Sequence, residues 1–95
     1  MTQFATERAD VLAQIKDILY DRDWISPKEI ERVKESTEFK RIYAHDFSGY
    51  GCLNMVGSIE RLYGIQLDAN AVKKMTNVRQ LIDAVMEQLE IDDEN

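Results

Sequence analysis

The chain has 95 residues, 44% of them hydrophobic, with 18 acids against 12 bases for a net charge of −6. A chain of this length makes a single domain, 1–95, that buries roughly 60–65% of its unfolded surface, enough for one modest core and no deep cavity. The acidic balance argues against nucleic acid or an anionic membrane as partner, and the lone Cys52 and lone His45 are too few for a disulfide or a typical zinc site.

No apolar run approaches the ~18–20 residues of a membrane span, and no basic-then-apolar leader opens the sequence, so the expectation is a cytoplasmic monomer. The charge is unevenly spread. Residues 1–40 hold nine acids and seven bases, residues 41–80 three acids and five bases, and residues 81–95 six acids and no base. The negative charge is therefore concentrated at the C-terminal end, while the middle is neutral to slightly basic.

Residues 1–5 read as a flexible N-terminus. From Thr6 to about Tyr20, Ala9, Val11/Leu12, Ile15 and Ile18/Leu19 recur with a 3.6-residue period, which predicts an amphipathic helix closed by Asp21-Arg22-Asp23. Trp24 reads as an apolar plug at the turn that follows. Ser26-Pro27-Lys28-Glu29 then combines a capping box with proline at the first helical position, and predicts a short helix over Pro27–Glu35 with Ile30 and Val33 inward. Phe39, Ile42 and Tyr43 are spaced for one more helical turn, with a pinned loop as the alternative.

A polar, glycine-punctuated turn containing Ser48 precedes the central helix, which is expected to begin near Gly49–Gly51 and to end at Tyr63. Its apolar stripe is read as Leu53, Val56, Ile59 and Leu62/Tyr63, with Gly64 as the stop. Asp68 can cap a short helix through Met75. Thr76 can cap the last helix, whose stripe is Val78, Leu81/Ile82, Val85 and Leu89. Residues 91–95 read as an acidic mobile tail. No segment alternates with period two, so the class expected is all-α.

The order of elements resembles the acyl and peptidyl carrier proteins. Ile59-Glu60-Arg61-Leu62-Tyr63-Gly64-Ile65-Gln66-Leu67 is similar to the end of that family's second helix. Met75-Thr76-Asn77-Val78-Arg79-Gln80-Leu81-Ile82 is similar to its Thr-capped last helix. Val11 to Leu19, Ile25-Ser26-Pro27-Lys28-Glu29-Ile30 and Phe39 resemble earlier parts of it. The resemblance implies a four-helix bundle with a long first loop, here containing an extra short helix, and a short third helix.

It also implies that the protein is not an enzyme. Such a protein presents a thioester-bound acyl or aminoacyl group to biosynthetic enzymes through 4′-phosphopantetheine, attached to serine by a phosphopantetheinyl transferase. The pathways implied are fatty acid, polyketide or nonribosomal peptide biosynthesis. In the family an Asp-Ser-Leu triplet opens helix two. Counting back from Tyr63-Gly64-Ile65 places its serine on Gly49, counting forward from Phe39 places it on Phe47, and Ser48 between them is the one hydroxyl there.

Two readings of the site follow. Ser48 either carries the arm or is a simple N-cap; in the second case the chain is a carrier-shaped interaction or regulatory module that lacks the group and serves a dedicated protein partner. Tyr50, Leu53, Asn54, Met55 and Arg61 are candidates for partner docking, those that prove buried being core instead. Leu53 and Met55 cannot both face inward on an ideal helix, since residues two apart lie about 200° apart. Cys52 with His45 and Asp46 sketches a thiol nucleophile, against which the simpler reading is a small packed side chain.

Overall fold

The computed structural model describes residues 7–22, 26–42 and 50–94, with backbone alone at 22, 50–51 and 91–94. Among the described residues six helices follow in order: α1 (Arg8–Arg22), α2 (Pro27–Glu31), α3 (Phe39–Ile42), α4 (Tyr50–Tyr63), α5 (Ala69–Lys73) and α6 (Val78–Glu94). No strand occurs among the described residues, only an isolated antiparallel bridge between Glu38 and Asn77. No helix among them is long and apolar enough to cross a membrane. The all-α class expected from the absence of period-two alternation therefore holds for the described residues.

Three long helices supply most of the core. The 3.6-residue stripe of α1 buries Val11, Ile15, Ile18 and Leu19, while Ala9 faces solvent. That face packs on α4 and α6, and α4 also packs on α5. From α6, Val78, Leu81, Ile82 and Val85 are fully buried, with Leu89 packed at the margin. Each fully buried aliphatic side chain of this size contributes about 1.5–3 kcal/mol relative to exposure. α6 continues to Glu94, so residues 91–94, expected as a tail, are helical in backbone. The good helix formers from Met86 to Glu90 carry the helix into them despite acids at its C-terminal end.

Short elements are held by caps. Ser26 Oγ accepts from the Glu29 N–H at 3.4 Å and Pro27 opens α2, as the sequence signals. The helix nevertheless stops at Glu31, four residues early, and Val33 is buried from the turn beyond it. Asp68 Oδ1 accepts from the N–H groups of Asn70 (2.9 Å) and Ala71 (3.4 Å), capping α5. At the end of α4, Gly64 adopts φ +66°, the left-handed conformation glycine takes without a Cβ penalty, and the Glu60 carbonyl accepts from the N–H groups of Gly64 and Ile65.

The connector from Val33 to Phe39 stops α2 short because its backbone is engaged by α6. The carbonyls of Thr37 and Glu35 accept from the Val78 (3.0 Å) and Arg79 (2.8 Å) amides, and the Phe39 N–H donates to the Thr76 carbonyl at 2.9 Å. Helix amides at an N-terminus have no intrahelical acceptor, and here the connector satisfies two of them. The third is met by Asn77, whose Oδ1 accepts from the Gln80 N–H at 3.0 Å, while Gln80 Oε1 accepts from the N–H groups of Thr76 (2.6 Å) and Asn77 (3.4 Å). The N-cap of α6 is thus Asn77, not Thr76; the Asn-x-x-Gln pair forms the reciprocal box.

Arg8 closes this region from outside. Its guanidinium grips Glu35 through Nη2 (2.6 Å) and Nε (3.2 Å) and reaches Asp83 through Nη1 (2.6 Å), with Arg79 at 3.8 Å from Glu35. One side chain therefore ties α1, the connector and α6 together. The Arg8 hydrogen bond holds the Glu35 carboxyl below its ordinary value, against the smaller opposing effect of desolvation. Because the folded value lies below the unfolded one, the stabilisation is complete above the ordinary carboxylate range and is lost as pH falls through the folded value. Glu35→Gln is expected to lower Tm at neutral pH, with the gap from the wild type closing on acidification below about pH 4. A gap independent of pH in thermal melts would show that the carboxylate charge is not what matters.

Tyr63 carries a buried hydroxyl oxygen with no hydrogen-bond partner among the described residues. Burial, and secondarily the negative charge of Asp10, raise its pKa. An unmatched buried polar group costs about 1–3 kcal/mol in desolvation. Tyr63→Phe is therefore expected to be neutral or to stabilise by up to ~1 kcal/mol in urea unfolding; a clear loss of stability would mean that the hydroxyl is satisfied in solution.

Candidate functional site: the outward face of the central helix

α4 begins at Tyr50, within the range set by the glycine-rich turn, and ends at Tyr63 as the Tyr-Gly-Ile pattern predicts. Its inward face differs from the expected stripe. The buried residues are Cys52, Met55, Val56 and Ile59, with Tyr63 packed against them. Leu53 and Leu62 are 54% and 50% exposed. The three- and four-residue spacing fits both stripes, and the packing selects the one centred on Val56, Ile59 and Tyr63: 52, 55, 56, 59 and 63 fall within one sector, and Leu53 and Leu62, nine residues apart, sit roughly 180° from each other on its two flanks.

This divides the docking candidates. Met55 is fully buried and belongs to the core, whereas Leu53, Asn54 and Arg61 are exposed. Asn54, Gly57, Ser58 and Arg61, spaced i, i+3, i+4 and i+7, line the face turned away from the core. A Cβ on Gly57 would meet nothing within 4 Å, so the fold itself does not require a glycine there. Arg61 lies back along the helix, its Nε donating to the Gly57 carbonyl at 3.4 Å.

The charge of this face is set by what Glu60 does. Its carboxylate accepts from the Leu67 N–H at 2.8 Å, fastening the loop after Gly64. The single acid of α4 is therefore committed to the fold, a role the sequence reading missed and which only its spacing of seven from Leu67 hints at. The carboxylates near Arg61 come instead from α1: Asp17 and Asp21 line, with Gln14, Ser58, Arg61 and Leu62, a shallow groove of about 430 Å³ between α1 and α4.

Cys52 is fully buried, and burial pushes its thiol pKa up, against a smaller opposing pull from Lys73. A thiol that is less ionised and out of reach does not act as a nucleophile, so the packed reading of Cys52 replaces the Cys–His one. Ser48 and Gly49, together with His45, Asp46, Phe47 and Trp24, lie outside the described residues, as does the Tyr50 side chain. In the sequence Ser48 stands two residues before Tyr50, from which α4 is described.

Comparison of the chain with known protein families and with curated protein sequences found no match.

Proposed function

We propose that the chain is an atypical carrier-like protein that presents a thioester-bound acyl or aminoacyl group to partner enzymes through 4′-phosphopantetheine on Ser48. One observation supports this reading: Ser48 precedes in sequence, by two residues, the 14-residue helix described from Tyr50. The free amides and the dipole at such an entry favour a phosphodiester, and no acid in the first turn of α4 opposes it. The residues present fit the group in that sense. Ser48 would hold the arm and Leu53 and Asn54 would flank it, and the arm would supply the thiol that carries the cargo.

On this reading α1, α4, α5 and α6 are the four helices of a carrier bundle, and α2 and α3 belong to its long first connection. The chemistry takes place in cytoplasmic partner enzymes, and the monomer itself catalyses nothing. A second reading is favoured by a specific observation. Carriers of the family this chain resembles present an acidic second helix to basic patches on their transferase; the outward face of α4 carries Arg61 and no acid of its own, Glu60 being engaged by Leu67, so such a transferase meets little on α4 to steer it. The chain would then be a carrier-shaped module without the group, binding a dedicated protein partner through α4.

The experiment is direct. The protein is co-expressed with a broad-specificity phosphopantetheinyl transferase and weighed intact. The expected result is a gain of one arm, lost in Ser48→Ala and kept in Ser58→Ala. No gain with several transferases removes the carrier reading and leaves the interaction module.

A further inference from the structure

A cationic stretch of this acidic protein runs from the connector after α2 into α3. Residues 32–41 contain four bases and two acids. Both acids are engaged, Glu35 by Arg8 and Glu38 by Lys40 at 3.0 Å. Arg32, Lys34 and Arg41 have no carboxylate partner among the described residues. All three line one open groove of about 440 Å³ together with Ser36, Thr37 and the Glu38–Lys40 pair. Arg32 and Arg41 also border an adjoining groove of about 340 Å³ that contains Val33 and the half-buried Ile42, with one acid, Glu29, on its rim.

This cluster is held in place. The connector backbone is bonded to the start of α6 at Thr37, Glu35 and Phe39, and the Thr37 Oγ1 accepts from the Lys34 N–H at 2.8 Å. The chain's own acidic run cannot neutralise it. Val78, at the start of α6, bonds to Thr37, while the acids from Glu87 to Glu94 follow along a helix of 17 residues, about 25 Å long. Unpaired cations fixed on a folded surface are the pattern that steers an oppositely charged partner.

We infer that the Arg32–Lys34–Arg41 surface is a docking site for an acidic segment of a partner protein, its carboxylates meeting the three cations and an apolar side chain entering the Val33/Ile42 dip. The grooves are too open to bury most of a small ligand, and the apolar Val33/Ile42 dip beside the cations suits a segment with apolar side chains, which nucleic acid and lipid headgroups do not offer. A short peptide that mixes acids with leucine fits both the charge and the dip. This site is independent of Ser48: it stands or falls whether or not the arm is attached.

The test uses the full chain, isotope-labelled, titrated with the peptide Glu-Leu-Glu-Asp-Leu-Glu-Glu-Leu at low and at moderate salt. The expected result is saturable amide shifts confined to residues 32–42, weakening as salt rises. Arg32→Glu combined with Arg41→Glu is expected to raise the Kd about tenfold or more, whereas the charge-matched control Lys73→Glu with Lys74→Glu leaves it unchanged. Should the reversal variant fail to fold by circular dichroism, Arg32→Gln and Arg41→Gln taken singly remove the charges without reversing them and are expected to weaken binding in the same direction. The inference is overturned by any of four results: no saturable shifts; shifts centred elsewhere; equal loss of affinity in the lysine control; or the same shifts from inorganic phosphate at matched concentration, which would mark a small-anion site. Concentration-dependent shifts of residues 32–42 in the protein alone would overturn it too, by assigning the surface to a second copy.

Discussion

Phe39→Ala is expected to lose about 3–5 kcal/mol of stability, the usual result of emptying a buried aromatic site. Domains of this size are stable by about 5–15 kcal/mol in all, so the variant should lose from about a fifth of its margin to all of it and melt roughly 12–40 °C lower. The argument for so large an effect is positional. Phe39 is only 2% exposed and starts a helix of four residues. A helix that short does not form without tertiary support, so the ring is the anchor of α3, and its N–H bonds to Thr76. Releasing it loosens the connector whose Thr37 and Glu35 carbonyls cap the first amides of α6. Thermal and urea unfolding of Phe39→Ala beside Lys40→Ala makes the comparison. Lys40 is exposed and its pair with Glu38 is a surface one, so its loss should stay within about 0.5 kcal/mol. A loss below ~1 kcal/mol for Phe39→Ala would show that α3 is not anchored by this ring.

That region is also where the sequence was least informative. The three long helices were legible because each repeats a 3.6-residue apolar pattern that is local to itself. Local caps were legible for the same reason: Ser26 and Asp68 act within three residues of their own position. The connector has no such signal. Its conformation follows from hydrogen bonds to residues about forty positions away, such as Val78 to Thr37, and from Arg8, which reaches across 27 residues to Glu35 and 75 to Asp83. No window of sequence contains both partners of any of these bonds. The replacement of Thr76 by Asn77 as the cap of α6 has a similar origin. Both are good N-cap residues, and the choice falls to Asn77 because the connector sets where the first amides of α6 must be met.

On α4 the boundaries were readable but the facing was not. Leucine at 53 and 62 outweighs cysteine at 52 and methionine at 55 in apolar area, so composition drew the stripe one residue away from the face that packs. Only the packing against α1 and α5 decides it. The role of Glu60 was hidden in the same way, since its carboxylate turns toward the loop at Leu67 and away from the surface where a partner would look for it.

This last point yields the second large effect, on the rate of modification and not on stability. The outward face at 54, 58 and 61 carries one charge, the +1 of Arg61. Asn54→Glu with Arg61→Glu removes that charge and adds two acids, for a face of −2. If a transferase with a basic docking surface modifies Ser48, opposite charge at the helix should speed encounter on the order of tenfold or more at low salt, with the gain fading as ionic strength rises. The fold should tolerate the change, because both side chains are exposed; loss of a cation from the last turn of α4 costs about 0.3–1 kcal/mol. Initial rates of arm transfer to wild-type and double-variant protein, measured by intact mass at two salt concentrations, decide it. A faster, salt-sensitive variant means that the slow step is the approach to a helix short of acids, and places this chain among carriers with a weakened docking face. Equal rates at both salts mean that encounter does not limit transfer and that the neutral face is not the obstacle. No transfer to either protein returns α4 to the reading in which its exposed Leu53, Asn54 and Arg61 meet a dedicated partner and Ser48 carries nothing.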